Sequence, residues 1–170
     1  MGTIPTLETE RLILRAFKPE DFDAYAEIAA DGEWSQFVGG PMELGRAWRA
    51  MATLIGHWEL RGHGMFAVEE KATGNFIGLV GHWNPGDWPE PEIAYTLAQG
   101  AAGKGYATEA VLKMLDHTFN TLKWDTVVSY IDDNNIPSQK VAKRVGAVAE
   151  EIIDVAGHPA RVHRHPNPNK

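Results

Sequence analysis

A chain of 170 residues, 44% apolar and 23% charged, has ordinary globular composition and is long enough to bury a core without staples. It contains no cysteine, which excludes disulfides, thiolate nucleophiles and thiolate metal sites. A formal net charge of −7 argues against a general nucleic-acid binder, which needs a basic face.

The opening Met1-Gly2-Thr3-Ile4-Pro5 has neither the basic nor the apolar region of a leader, and no apolar run approaches membrane-spanning length. A single domain over 1–170 is therefore expected, cytoplasmic, with neither membrane nor nucleic acid as partner. Its tail, 166–170, is expected to fray. Oligomeric state is left open, a homodimer included.

Residues 10–17 alternate around Leu12 and Leu14 and read as a first strand. Lys18-Pro19-Glu20-Asp21 opens a helix, with proline and acidic residues suited to a first turn. Phe22, Tyr25, Ala26 and Ala29 supply its apolar stripe, and Asp31-Gly32 ends it. Residues 32–43 read as a loop holding Trp34 and Phe37, packed down or open to grip a ligand. Leu44, Trp48, Met51, Ile55 and Trp58 have the spacing of a buried helix face, stopped by Gly62 and Gly64.

Residues 65–70 and 76–83 read as a hairpin turning at Ala72-Thr73-Gly74-Asn75. Gly78 and Gly81 in the second strand suggest a bulge or a close backbone approach. After a Pro/Trp/Gly loop over 84–91, residues 92–97 form the third of three antiparallel strands. A helix over 105–122 carries Ala107, Val111, Leu115, Phe119 and Leu122 on one side, widened by Thr108 and Leu112. A strand over 125–131 follows, then a helix over 136–145 closed by Gly146. A last hairpin turns at 156–159. The order is strand, two helices, three strands, helix, strand, helix, two strands. That is an α/β fold with a mixed sheet, in which the helix over 105–122 joins two parallel strands.

One stretch stands out. The strand ending at Leu97 runs through a glycine-rich turn over 99–105 straight into a helix N-terminus. Such a junction points backbone N–H groups one way with no side chains in front, and the helix dipole adds partial positive charge. It suits a phosphate or pyrophosphate, although a tight turn needing positive φ at its glycines would leave the same trace.

Two patterns resemble the GNAT superfamily of N-acetyltransferases. Gly103-Lys104-Gly105-Tyr106-Ala107-Thr108-Glu109-Ala110 resembles its pyrophosphate loop and helix. Asn135-Ile136-Pro137-Ser138, followed by Val141-Ala142-Lys143-Arg144-Val145-Gly146-Ala147, resembles its Asn-x-x-Ser helix. The opening Leu7-Glu8-Thr9-Glu10-Arg11-Leu12-Ile13-Leu14-Arg15, with Pro19-Glu20-Asp21, is similar to the subgroup of RimJ and RimL ribosomal-protein acetyltransferases. The likeness spans residues 7 to about 165.

The resemblance implies a GNAT-like acyl-CoA N-acyltransferase fold and an enzyme that moves acetyl from acetyl-CoA to a primary amine. The acceptor would be a protein α-amine or a small molecule, attacking directly in a ternary complex. A CoA-binding sensory module without transferase activity is the alternative, and a nucleotide-phosphate binder a weaker one. Backbone amides of Ala102, Gly103, Lys104, Gly105, Tyr106, Ala107 and Thr108 would bind the pyrophosphate. The strand edge at Tyr95 and Leu97, with Asn135 and Ser138, would take the pantetheine arm, and Asn135 has a second reading as helix N-cap.

The chain departs from the family at two places. Gly100 stands where the loop usually begins with Arg or Gln, and Ala142 where many members carry the tyrosine that protonates the thiolate. Ser138 is then the hydroxyl at a matched position. Glu92, at the start of its strand, is the preferred base, ahead of Glu90 and His82. Asp87, Glu90 and Glu92 together suggest attraction of a cationic acceptor such as a basic peptide or polyamine. No metal is expected: alternation on a terminal strand accounts for His163 and His165, and no carboxylate motif joins them and His158.

Overall fold

The computed structural model describes residues 3–170. Eight strands form one sheet in the order β1-β2-β3-β4-β5-β6-β8-β7: β1 is Leu7–Glu8, β2 Leu12–Arg15, β3 Met65–Glu70, β4 Phe76–Trp83, β5 Glu92–Leu97, β6 Val128–Ile131, β7 Val148–Val155 and β8 His158–Arg164. Among the described residues β5 and β6 are the one parallel pair; every other neighbouring pair is antiparallel. The mixed α/β sheet and the parallel crossover are as the pattern of the sequence implies.

The strand expected over 10–17 is shorter, Leu12–Arg15, and a further short strand precedes it. Residues 9–11 turn, so that β1 folds back on β2 with Leu7 opposite Leu14. The Thr9 hydroxyl accepts from the Leu12 N–H at 2.9 Å and donates to Glu109 at 2.6 Å. A hydroxyl that competes with the strand ladder ends pairing locally.

A 3₁₀ turn at Pro19–Asp21 leads into helix α1, Phe22–Ala30. The segment over 32–43 is not all loop, because Gly32–Ser35 forms a helical turn, α2. Asp31 caps it, accepting from the Glu33 N–H at 3.0 Å and the Trp34 N–H at 3.1 Å. Helix α3, Leu44–Arg61, ends at Gly62 with φ of 73°.

The apolar face expected on α3 is only half right. Met51 and Trp58 are buried, but Leu44 is 66% and Trp48 62% exposed, and Ile55 is exposed as well. The face that packs inward holds Ala47, Met51 and Leu54, against Tyr25, Ala26 and Ala29 of α1. Small residues on both helices permit a close approach, so contact follows the alanines rather than the largest side chains.

Both glycines of β4 mark close backbone approaches. A Cβ at Gly78 would strike the Thr96 carbonyl oxygen, and one at Gly81 the Gly64 carbonyl oxygen.

Helix α4, Tyr106–Asp116, continues as a wide π turn through His117–Thr121. There the Thr118 hydroxyl donates to the Met114 carbonyl at 2.6 Å. Ala110, Val111, Met114 and Phe119 join the main core with Leu12, Leu14, Phe66, Val80 and Ile93. Leu112, expected on that face, is half exposed.

Helix α5 is Ile136–Arg144. The β7–β8 hairpin turns through Ala156 and Gly157, at φ of 51° and 85°. Residues 166–170, which look prone to fray in sequence, make hydrogen bonds here: Asn167 Nδ2 donates to the Trp124 carbonyl at 3.2 Å, and Lys170 pairs with Asp125 at 2.9 Å. Among the described residues no helix is long and apolar enough to cross a membrane.

Candidate active site

The parallel pair is paired only at its start. Glu92 lies opposite Val128, and the Val128 N–H donates to the Pro91 carbonyl at 3.2 Å. One residue further on, a side chain replaces the ladder: the Ser129 hydroxyl donates to the Ile93 carbonyl at 2.7 Å. That hydroxyl has a single hydrogen, so the buried His165 must donate to it from Nε2, at 2.9 Å. Beyond this point β5 and β6 diverge.

The Ile93 carbonyl faces β6, and backbone groups alternate along a strand. The N–H and C=O groups of Tyr95 and Leu97 therefore face the opening, while the Leu97 side chain packs in the core. The Tyr95 hydroxyl crosses to α5 and donates to the Ser138 carbonyl at 3.1 Å. Burial, slightly offset by that bond, pushes the phenol up to about 12.

At the far end of β5 lies the glycine turn. Gly103 and Gly105 hold φ of 76° and 81°, the left-handed region that favours glycine. A Cβ at Gly103 would meet nothing within 4 Å. The space in front of the loop is open, as a phosphate cradle requires. The Tyr106, Ala107 and Thr108 N–H groups precede the first bond of α4, from the Glu109 N–H to the Gly105 carbonyl at 3.0 Å, and no side chain caps the helix. They are available to an anion, and the residues fit the CoA pyrophosphate.

One expected donor is already engaged. The Ala102 N–H donates to the Gln99 carbonyl at 3.0 Å and is not free to meet an anion. The Tyr106 side chain is buried and points away, donating to Glu70 at 2.6 Å, which leaves its N–H as the part facing the loop. Lys104 is exposed, its ammonium 5.8 Å from the centre of the Tyr106 ring.

The loop is fastened by the turn over 9–11, in which Arg11 belongs to the strand expected over 10–17. Arg11 donates to the Lys104 carbonyl at 2.9 Å, lies 4.5 Å above the Tyr106 ring, and pairs with Glu109 at 2.7 Å. Glu109 also accepts from Thr9 and from the Arg11 N–H. Burial works to raise its pKa, and these bonds outweigh it and hold the pKa below the ordinary value. The Thr9-Glu10-Arg11 pattern was the available signal.

At α5, Asn135 is the helix N-cap: its side-chain oxygen accepts from the Ser138 N–H at 3.2 Å. Ala142 is buried, one turn beyond Ser138 on the same face. Tyr95 is the phenol that reaches this helix from across the opening.

A cleft of about 760 Å³ lies against β5, walled by α1, α3, the end of β4 and the β7–β8 turn, with Glu92, Trp83, Trp88 and Tyr130 in its lining. Glu92 is 7% exposed. It accepts from Trp88 Nε1 at 2.8 Å and from the Tyr130 N–H at 3.3 Å. Burial raises its pKa to about 7 against the lowering effect of those two bonds. A carboxyl poised near neutrality in a cleft can accept a proton from a substrate.

The other candidate bases are occupied. Glu90 forms a two-pronged pair with Arg164, at 2.9 and 3.0 Å, which holds its pKa down. His82 is fully buried, bonded to Thr118 at 2.7 Å, and burial pushes it down to about 3. Asp87 does not line the cleft.

The family described as "Acetyltransferase (GNAT) domain" matches residues 11–148. An uncharacterized N-acetyltransferase, p20, of Bacillus licheniformis is 31% identical over 152 residues, covering 87% of this chain and 85% of its own. The crystal structure of an acetyltransferase from Agrobacterium tumefaciens is 35% identical with a TM-score of 0.88, over 98% of this chain and 96% of that one. A spermidine N-acetyltransferase from Vibrio cholerae, solved with CoA and spermine, shares the fold at 20% identity and a TM-score of 0.73, over 92% and 94% of the two chains. The chain belongs to the GNAT acetyltransferase family and is an acetyl-CoA-dependent acetyltransferase.

Proposed function

We propose that the whole chain acts as one unit of the RimJ/RimL-like subgroup, transferring acetyl to the nitrogen of a primary amine by direct attack in a ternary complex. The observation that carries this reading is Glu92, a buried carboxyl with a pKa of about 7 in the cleft wall beside the diverging strands. The N-terminal turn that fastens the glycine loop supports the subgroup, because its residues are those of the Leu7–Arg15 pattern.

Acetyl-CoA supplies the acetyl group as a thioester. Gly103, Lys104, Gly105, Tyr106, Ala107 and Thr108 hold its pyrophosphate through backbone N–H groups. The strand edge at Tyr95 and Leu97 receives the pantetheine amides as an added strand would, and the start of α5 at Asn135 and Ser138 closes the other side. Glu92 takes the proton from the ammonium. An α-amine near pKa 7.7 to 8.0 is about one unit above it, roughly 1.4 kcal/mol, whereas a lysine amine near 10.4 is about three units away. An N–H on the β5 edge meets the oxyanion. Ser138, at the matched family position, and the Tyr95 phenol beside it are the hydroxyls available to the departing thiolate.

The test is release of CoA thiol from acetyl-CoA in the presence of primary amines. Amine-dependent release with formation of the N-acetyl product supports the reading; binding of acetyl-CoA with no release across amines and peptides contradicts it.

A further inference from the structure

Two of the acidic residues near the cleft are neutralised outside it. Glu90 and Glu150 are both paired with Arg164, at 2.9 and 2.7 Å. Of the carboxylates that line the cleft, Glu92 is buried beneath Trp88, and Asp132 accepts from the Asn134 N–H at 2.7 Å and its side-chain amide at 2.9 Å. The guanidinium of Arg46 also lines the cleft, donating to the Gly39 carbonyl at 3.2 Å. A second ammonium entering here would meet the guanidinium of Arg46 and, as the only carboxylate besides Glu92 among the described lining residues, Asp132, whose Oδ1 is taken by Asn134.

Most of the rest of the wall is apolar and aromatic, with Ser35, Gln36, Thr53, Thr96 and His158 as its polar members. Tyr25 and Leu54 come from α1 and α3, Phe37 from the segment after α2, and Trp83, Trp88 and Tyr130 surround Glu92. Trp88 lies edge-on to both Trp83 and Tyr130, with ring centres 6.5 and 6.4 Å away. The volume, about 760 Å³, is that of a small-molecule site. Apolar walls stabilise an apolar body and penalise a second charge that has no partner.

We infer that the acceptor is a primary monoamine carried on an apolar or aromatic body with no second cationic centre, rather than a polyamine or a basic peptide N-terminus. This rests on the proposed amine transfer and specifies its substrate class. The nitrogen approaches Glu92, and the body occupies the wall of Tyr25, Phe37, Leu54 and Trp83. The same apolar surroundings that raise Glu92 lower the pKa of the bound ammonium, which eases its deprotonation.

The test compares L-phenylalaninamide with L-lysinamide, which share an α-amine and differ in the body, and adds spermidine. We expect kcat/KM for phenylalaninamide to exceed that for lysinamide and spermidine by about tenfold or more. Phe37→Ala, at the exposed rim of the cleft, should shrink that ratio through KM while leaving the acetyl-CoA-induced rise in Tm unchanged. Equal or better use of lysinamide or spermidine overturns the inference while amine transfer stands. If no amine is acetylated, the proposed transfer fails, and the cleft is read by thermal shift instead. Stabilisation by N-acetylphenylalaninamide and not by N-acetyllysinamide then upholds the inference; the reverse, or no stabilisation by either, overturns it.

Discussion

The Tyr95 hydroxyl donates to the Ser138 carbonyl at 3.1 Å, bridging β5 and the first turn of α5 at the place where the sheet opens. It brings a phenol to the helix face on which Ala142 leaves none. If that phenol supports the departing thiolate, Tyr95→Phe should lower kcat by about 10²-fold, the usual scale of a lost general acid, with acetyl-CoA affinity little changed. Ser138→Ala should then have the smaller effect. Single-turnover rates for the two variants check this, and a larger loss at Ser138 would return the role to the serine.

Glu92 should make the fold less stable as pH rises. Its folded pKa of about 7 exceeds the ordinary value of 4.5, so the folded state holds the proton more tightly than the unfolded one. Stability from this group is fully present below about pH 4.5 and is lost as pH rises through 7, by roughly 3 kcal/mol at most. In Glu92→Gln that loss is absent. The Tm difference, variant minus wild type, should therefore climb between pH 4.5 and 7.5; a difference flat with pH would deny the raised pKa.

At the loop, Gly103→Ala tests conformation and Gly103→Glu tests charge. A φ of 76° strains any L residue by about 1–2 kcal/mol, so both variants should lose that much stability without ligand. Only the glutamate, which brings a negative charge to the loop, should abolish the Tm rise on adding acetyl-CoA. Calorimetric scans with and without the donor decide it; a rise retained in Gly103→Glu would move the pyrophosphate elsewhere.

Glu109→Gln should loosen the attachment between the N-terminal turn and α4. The carboxylate accepts from Thr9 and from both the backbone and the side chain of Arg11. Arg11 is 43% exposed, and solvent screening limits its ion pair, so a loss of about 1–2 kcal/mol is expected. Because Arg11 also holds the Lys104 carbonyl, acetyl-CoA affinity should fall with it. Urea unfolding and donor titration measure both effects; stability lost with affinity intact would separate the turn from the loop.

Much of this architecture is legible in the sequence because local chemistry and tertiary need coincide. Gly78 and Gly81 sit where a Cβ would strike a facing backbone, and the Gly103–Gly105 turn sits at a helix start. Residues 92–97 read as a strand and form β5, with Glu92 at its head. The errors arise where size and pattern mislead. Trp48 has the spacing of a core residue, yet Ala47 faces α1 because the closer fit lies there. Arg11 falls in the alternating run that reads as a strand, yet its partner, Glu109, is 98 positions away, beyond any local signal. Asp87 and Glu90 suggest an acidic cleft until Arg164, near the end of the chain, is seen to neutralise Glu90.

The most direct measurement is kcat as a function of pH for thiol release from acetyl-CoA with phenylalaninamide, in wild type and Glu92→Gln. The wild type should show a rising limb with an apparent pKa near 7. The variant should lose that limb and about 10²- to 10⁴-fold of its turnover, at an unchanged affinity for acetyl-CoA. A variant that keeps wild-type turnover and the same limb would contradict the assignment of Glu92 as the base.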